Sequence, residues 1–540
     1  ALRRCLDLRA ALRGERWRLA DIPAEDPHTY DLICAADTVG VFQIESRAQM
    51  SMLPRLQPRE FYDLVVEVAI VRPGPIQGGM VHPYLQARER RRRGEALVLE
   101  KPELEKALKR TLGVPIFQEQ VMQIAMIAAG FSPGMADDLR RSMAAWKRKG
   151  GVHRFERPLI GGMEARGYRT EFAQAIFQQM LGFGEYGFPE SHAHSFALLS
   201  YASSWLKCHE PACFLAALLN SLPMGFYSAS QLVQDARRHG VRVLPIDVLA
   251  SHWDCTLEGP LAAVPGVALP QPAVRLGLRL VSGLATAAGQ RLVQIRQALH
   301  DAAVAGKPGA APAPALAPEF VPATCFTSTE DLALRAQLSQ QDLQALAAAD
   351  ALASLSGHRR QQMWDAAAQH TAPALWRDVP VHEVPLALPA AHEGEEIVFD
   401  YAATGLTLRR HPLALLRPRL ARWRLQTALQ LHSAPNGRKV RACGIVTVRQ
   451  RPGTAKGTMF VTLEDETGPV NVIVWPALVE HWRQPLLGAR LLAVEGVWQC
   501  SPHGPDGQAV VRHLVAQRFK DLTPLLGRMA QALQGSRDFH

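Results

Sequence analysis

The 540 residues contain no Cys-x-x-Cys pair, no Asp-x-Asp pair and no internal repeat. The eight cysteines, Cys5, Cys34, Cys208, Cys213, Cys255, Cys325, Cys443 and Cys500, are scattered, a usage that reads as a reducing compartment. In "CHEPAC", Cys208, His209 and Cys213 offer zinc ligands, but no second ligand pair of suitable spacing follows, which argues against zinc. No apolar run reaches about 18 residues and no secretory hydrophobic segment opens the sequence, so neither export nor a membrane span is expected and the expected location is cytoplasmic. Two-metal nucleotidyl transfer needs clustered carboxylates, often an Asp-x-Asp pair plus a third. The tightest acidic run, Glu464-Asp465-Glu466 in "LEDETG", reads instead as a solvated hairpin connection.

Basic charge is in surplus. Lys plus Arg number 60 against 50 Asp plus Glu, giving a formal net charge of +10 and a pI near 9.4, which favours a polyanionic partner. Hydrophobic residues make up 48% and charged residues 20%, so the chain reads as globular, and its length predicts about three or four domains.

Residues 1 to about 245 carry helical patterns punctuated by Gly and Pro. In "SPGMADDLRRSMAAWKRKGG", Ser132 is placed as an N-cap with Pro133 at the first helical position, and Gly150-Gly151 ends the run. "SFALLSYASSWLKCHEPACFLAALLN" predicts two packed helices broken near Pro211. Residues 246–365 read as short helices with small-residue turns, interrupted near 303–324 by an Ala/Pro-rich linker or loop. From 366 to 436 the pattern is weak. After Asn436-Gly437 the period becomes two, and about five short strands over 437–520 predict a small barrel, an OB-fold, followed by a tail over 521–540.

Four stretches carry candidate chemistry. Arg140 and Arg141, followed by Lys147, Arg148 and Lys149, suit a polyphosphate and a nucleic-acid backbone; alternatively Asp137 and Asp138 pair with the two arginines along a solvated helix face. "ARERRRRGE" holds five arginines in six positions, Arg88 to Arg93, but lacks interleaved aromatics and reads more simply as solvated. The turn at Arg72-Pro73-Gly74-Pro75 could present Arg72 to a ligand or be purely structural. "EYGFPESHAHSF" reads as a turn offering Ser191 and His192 to phosphate oxygens, or as capping of the following helix by Ser191. A metal site lacks a third fixed ligand, and adjacent Ser191 and His192 make a poor nucleophile-base pair.

Together, "DTVGVFQIESRAQM" running through "VRPGPIQGGMVHPYL", then "GVPIFQEQVMQIAMIAAGFSPGMADDLRRSM", then "EYGFPESHAHSFALLSYASSWLKCHEPACFLAALLNS" resemble the bacterial C-family DNA polymerases. Replicative members have Asn-Lys where this chain has Pro189-Glu190; with the closing "SRDFH", the chain is more similar to the error-prone, translesion branch. The resemblance implies a multidomain α+β chain: mainly α-helical fingers over 1–245, a helix-hairpin-helix region over 246–365, a connecting region over 366–436 and a C-terminal OB-fold β-barrel. It implies DNA-directed DNA polymerase activity of a longer parent. The palm aspartates that hold Mg2+ would lie before the point corresponding to Ala1, so that this chain alone would be inactive.

By the same resemblance Arg140, Arg141, Tyr186, Ser191, His192 and Arg72 would meet the incoming deoxynucleoside triphosphate, and Lys147, Arg148 and Lys149 the primer-template DNA. The barrel would bind single-stranded template through Arg449, Arg451, Lys456 and Phe460, unless it is a spacer with generic basic loops. Two departures count against full equivalence. Gly283-Leu284-Ala285 replaces the expected Gly-x-Gly hairpin, with Ser282 where a basic residue is common. No clamp-binding peptide of the Gln-x-x-aliphatic-aromatic type is found, which points to accessory proteins of a mutagenesis complex as the link to a sliding clamp. The rival reading is a non-catalytic DNA-binding or scaffold protein derived from such a polymerase.

Overall fold

An apolar decapeptide with acids at its head sets the first helical layer. Phe61–Ile70 is apolar apart from Asp63, Glu67 and the Tyr62 hydroxyl, and every residue from Asp63 to Ile70 is buried, so the helix has little solvent face. Its start is closed by a capping box between Glu60 and Asp63. Asp63 in turn receives Arg88, whose guanidinium also donates to the Leu56 and Gln57 carbonyls at 2.6 and 3.0 Å. Part of the "ARERRRRGE" run is therefore internal glue, while Arg90, Arg91 and Arg93 remain exposed.

The computed structural model describes the chain except residues 73–74, 77–78, 145–150, 184–188, 225–226, 306–324, 369–385, 456, 501–510, 534–536 and 540. The described chain divides into two units, one built on residues 21–208, the other on 1–20, 209–500 and 512–540. Most of the Ala/Pro-rich insert, residues 306–324, lies outside the described residues.

The unit over 21–208 contains helices and no strand among its described residues. Its long helix, Glu190–His209, has a weakly amphipathic sequence because serines and Lys207 are among its buried residues. Ser200 and Ser204 turn their hydroxyls back onto the Phe196 and Ser200 carbonyls, which lets small polar side chains be buried without losing hydrogen bonds. Lys207 is buried against Asp37 at 2.8 Å.

In the other unit, Leu2–Arg13 packs on Pro211–Leu219. The predicted break at Pro211 is present, with Glu210 as the N-cap residue. A three-stranded sheet follows: β1 (Val243–Leu244) pairs parallel with β3 (Gln271–Arg275), which pairs antiparallel with β2 (Thr256–Ala262). The helix Thr286–Ala305 then leaves the hairpin at Gly283, whose φ of +83° suits only glycine at low cost. The stretch 386–436 holds the helices Glu393–Thr404, Pro412–Arg422 and Ala428–His432, where the sequence pattern is weak because charged and small residues are spread round each helix.

Strands β4 (Lys439–Gln450), β5 (Met459–Asp465), β6 (Gly468–Val474), β7 (Leu491–Cys500) and β8 (Arg512–Asp521) run in the order β5-β6-β8-β7-β4, and β4 pairs again with β5 to close the barrel. In β6, Val470, Val472 and Val474 point inward between exposed or half-buried Pro469, Asn471 and Ile473, the alternation that a barrel wall requires. Gly444 and Gly496 permit the closure: a Cβ on Gly496 would lie 2.1 Å from the Val515 carbonyl oxygen, and one on Gly444 2.7 Å from the Leu463 Cβ. The closing "SRDFH" contributes β9 (Arg537–Phe539), which pairs parallel with the last residues of β4.

The LEDETG turn corrects one expectation. It does connect β5 to β6, but it is not solvated. Glu464 and Asp465 are buried, Asp465 accepts the amides of Ala428, Thr467 and Gly468, and Glu466 receives Arg417. Acids usually stay at the surface because burial strips their water; here backbone amides and an arginine from adjacent segments replace it.

Candidate functional site

The helix Pro133–Ala144 forms where Ser132 and Pro133 predict it, with the Ser132 hydroxyl accepting the Met135 amide at 3.3 Å. Ala136, Leu139 and Met143 are buried, so the helix inner face is apolar, and Asp137, Arg140 and Arg141 are set on its outer side. Both guanidinium groups converge on one carboxylate. Arg140 donates to Asp137 Oδ1 at 2.8 and 3.0 Å, and Arg141 reaches Oδ2 at 2.8 Å. The Arg140 hydrogen bond, with the charges of both arginines, holds the Asp137 carboxyl below the usual carboxylate range. This is the pairing along the helix face that the sequence offers as the alternative to a phosphate site, with Asp137 taking both arginines.

The second group surrounds the start of Glu190–His209. Ser191 lies inside the first turn, since the Pro189 carbonyl already accepts the amides of His192 and Ala193. The capping reading of Ser191 is therefore replaced: the Glu190 amide is satisfied by Glu119 Oε2 at 3.1 Å, and Ser191 is left exposed. His192 and His194 diverge, as i and i+2 must on a helix. The exposed His192 ring meets Phe196 edge-on at 4.7 Å, and the Arg72 guanidinium lies 5.9 Å from the same ring. The structure thus brings Arg72 and His192 round one aromatic ring. Arg72 also donates to the Val68 carbonyl at 3.1 Å, so it closes the C-terminus of Phe61–Ile70 as well.

Glu190, half of the departure from the replicative pattern, is the hub beneath this turn. Its Oε1 accepts the Tyr62 hydroxyl at 2.9 Å and an Arg110 N–H at 3.1 Å, while Arg110 stacks on the Tyr62 ring at 3.8 Å. Burial and the Glu190 hydrogen bond raise the Tyr62 hydroxyl pKa, which keeps it a donor. Sequence reasoning misses Tyr62 and Arg110. Their roles depend on a partner 128 and 80 residues away, and no local spacing encodes that.

Tyr186, Lys147, Arg148, Lys149 and Lys456 lie outside the described residues. In the barrel, Arg451 is exposed and Phe460 half-buried. Arg449 departs from expectation. It is 5% exposed, and its guanidinium donates to the Leu486 and Ala489 carbonyls at 2.8 and 2.5 Å, closing the helical plug of the barrel. Alternation along β4 sends its side chain that way, a parity that a basic-loop reading ignores. In the hairpin before Thr286–Ala305, the Ser282 amide donates to the Ala403 carbonyl at 2.8 Å and the Ala285 amide to Asp342 at 3.1 Å. Two amides that a phosphate would need are already used within the protein.

A helical unit in which two arginines close on one carboxylate, accompanied by a hairpin region and a closed OB barrel, defines a multidomain α+β chain. Residues 1–167 match the bacterial DNA polymerase III alpha subunit finger domain, 240–303 the helix-hairpin-helix motif, and 440–522 the OB-fold nucleic acid binding domain. Proteins named error-prone DNA polymerase from Bordetella bronchiseptica and Ralstonia nicotianae are 59% and 55% identical over the whole chain, which covers 48% of each. An asparaginyl-tRNA synthetase structure from Pyrococcus horikoshii aligns with 18% of this chain and 23% of its own, at 22% identity and a TM-score of 0.15. Over its whole length the chain is similar to these error-prone DNA polymerases, and it spans about half the length of the curated relatives it matches. No helix among the described residues is long and apolar enough to cross a membrane.

Proposed function

We propose that this chain forms the fingers and C-terminal DNA-handling part of an error-prone DNA-directed DNA polymerase that extends a primer across damaged template. The observation that carries the reading is the convergence of Arg140 and Arg141 on Asp137. Residues 1–245 would act as fingers, 246–365 as the hairpin region, 366–436 as a connector and 437–520 as the template-binding barrel. The incoming deoxynucleoside triphosphate would displace Asp137 from the two arginines, with Arg72, Ser191, His192 and Tyr186 completing the pocket. Such groups act by positioning and charge stabilisation rather than covalent chemistry.

Mg2+, which similarity to these polymerases implies, supplies charge neutralisation at the transferring phosphoryl group. The acidic run of the barrel does not fit it, because Asp465 and Glu466 are spent on backbone amides and Arg417. Palm aspartates of a longer parent remain the expected metal ligands, and primer-template DNA, accessory proteins and an indirectly bound clamp are its expected partners.

In the full-length parent, Arg141→Ala is expected to weaken triphosphate binding roughly tenfold, the worth of one charge-assisted hydrogen bond to phosphate. Pre-steady-state incorporation at varied nucleotide concentration measures it, and unchanged affinity and turnover would sink the assignment.

Replacing Pro189-Glu190 by Asn-Lys tests the branch-specific dipeptide. A lysine at 190 faces Arg110 and leaves the Tyr62 hydroxyl without its acceptor, which costs about 1–3 kcal/mol at a half-buried site and loosens the Ser191–His192 turn. A severalfold change in misinsertion is expected. Identical misinsertion spectra in the two proteins would reduce the dipeptide to a branch marker.

A further inference from the structure

The barrel carries a second surface that neither the basic-loop reading nor the family relationship assigns. On the outer face of β4, β7 and β8, a cleft of about 410 Å³ is lined by Trp423, Leu425, Arg441, Trp482, Arg518 and Lys520. Beside it a cleft of about 610 Å³ is lined by Arg424, Arg438 and Lys439, and the two share Leu425, Arg441 and Glu495. We propose that this continuous groove is a single-stranded nucleic-acid site, distinct from the β4–β5 loop that carries Arg451.

Strand register explains the charge. Arg441 in β4 lies opposite Glu495 in β7, which lies opposite Arg518 in β8, and Lys520 follows two residues on along the same face. The groove holds six cations, Arg424, Arg438, Lys439, Arg441, Arg518 and Lys520, all exposed, against one carboxylate, Glu495. That carboxylate is bound to Arg441 at 2.9 Å, and none of the other five has a carboxylate partner within 4.0 Å among the described residues. Five like charges held on neighbouring segments repel one another until a polyanion neutralises them.

The aromatic residues select which polyanion. Trp423 is 39% exposed although most of its surface is apolar, and its ring has Arg419 at 5.3 Å and Lys520 at 5.7 Å. Trp482 lines the same cleft and is braced by Phe519, ring to ring at 6.2 Å. Cations beside an exposed indole accommodate unstacked bases with adjacent phosphates, whereas a duplex keeps its bases stacked away from such rings. No lining residue belongs to β5 or β6, so the groove and the β4–β5 loop are separate surfaces of one barrel.

The test uses the 540-residue chain and a fluorescein-labelled oligothymidylate of about 20 nucleotides, with affinity followed by anisotropy against salt. Arg518→Glu with Lys520→Glu is expected to weaken binding at least tenfold near 0.1 M salt and to lower the salt slope by about 1.4, or about 0.7 for each phosphate no longer neutralised. Trp423→Ala should weaken binding roughly tenfold with the salt slope kept, and Trp423→Phe should restore most of it. Wild-type affinity in these variants, loss only in Arg451→Glu, or equal competition by a duplex of the same length would each overturn the proposal. Triphosphate affinity of Arg141→Ala in the full-length parent is read separately, so failure of the groove and failure of the triphosphate assignment are told apart.

Discussion

Glu210→Ala is expected to cost about 3–5 kcal/mol, enough to open the packing of Leu2–Arg13 on Pro211–Leu219. The Glu210 side chain is fully buried, and it receives Arg13 in a two-point pair at 3.1 and 2.9 Å, with Arg9 Nε at 3.5 Å. Arg9 is itself 5% exposed, with its Nε and Nη1 making no hydrogen bond and its guanidinium stacked 3.4 Å over Trp17. Removing the carboxylate leaves Arg13 without its counter-charge and Arg9 with only the exposed Glu15 at 3.8 Å, a larger loss than the pair's own net worth. Glu210→Gln keeps the shape but not the charge and should recover little. Arg13→Ala should cost less, because Glu210 retains Arg9. Urea unfolding gives the magnitude, and thiol labelling gives the place: Cys5 and Cys213 are buried on the two helices and should become reactive together. An unshifted midpoint with both thiols still protected would refute this account.

Glu464→Gln is expected to stabilise the barrel at pH 8 by up to about 3 kcal/mol and to leave it nearly unchanged below pH 4.5. Burial raises the Glu464 carboxyl from its ordinary 4.5 to about 7, Asp235 and Asp465 add to the rise, and Arg238 at 3.7 Å opposes it. In the unfolded chain the proton leaves near 4.5, whereas the folded chain holds it until about 7. The stability due to the protonated group is therefore complete below 4.5 and lost as pH rises through 7. Glutamine carries no proton to lose, so the difference between variant and native chain grows over that window. Arg238 lowers the gain, since it pairs with the ionised carboxylate but not with the amide. Thermal melts at intervals from pH 4.5 to 8 read the slope, and parallel curves would show that Glu464 is ionised throughout.

Both residues show where sequence reading stops. "CHEPAC" is conspicuous for its cysteines and histidine, yet the residue that organises it is the glutamate between them, whose partners lie about 200 residues earlier in the chain. "LEDETG" has the composition of a solvated turn because acids seek water, and only the meeting of β5, β6 and the 417–428 segment shows what replaces the water. By contrast Ser132 and Pro133 at a helix start, Pro211 at a break and valines alternating in β6 are legible, because each acts through neighbours within a few residues or along one strand.

The amino-acid sequence by itself determined the resemblance to a polymerase family, the helical segments, the barrel and the presence of Arg140 and Arg141 on one helix, since periodicity, caps and ordered motifs are properties of neighbouring residues. Tertiary structure alone decided that both arginines close on Asp137, that Arg449 turns inward, that Glu190 anchors the Ser191–His192 turn, and that Trp423 meets Lys520 on the outer face of the barrel. Those outcomes depend on which distant groups share a low-dielectric or solvent-facing space, and a side chain's chemistry is set by that company more than by its neighbours in the chain.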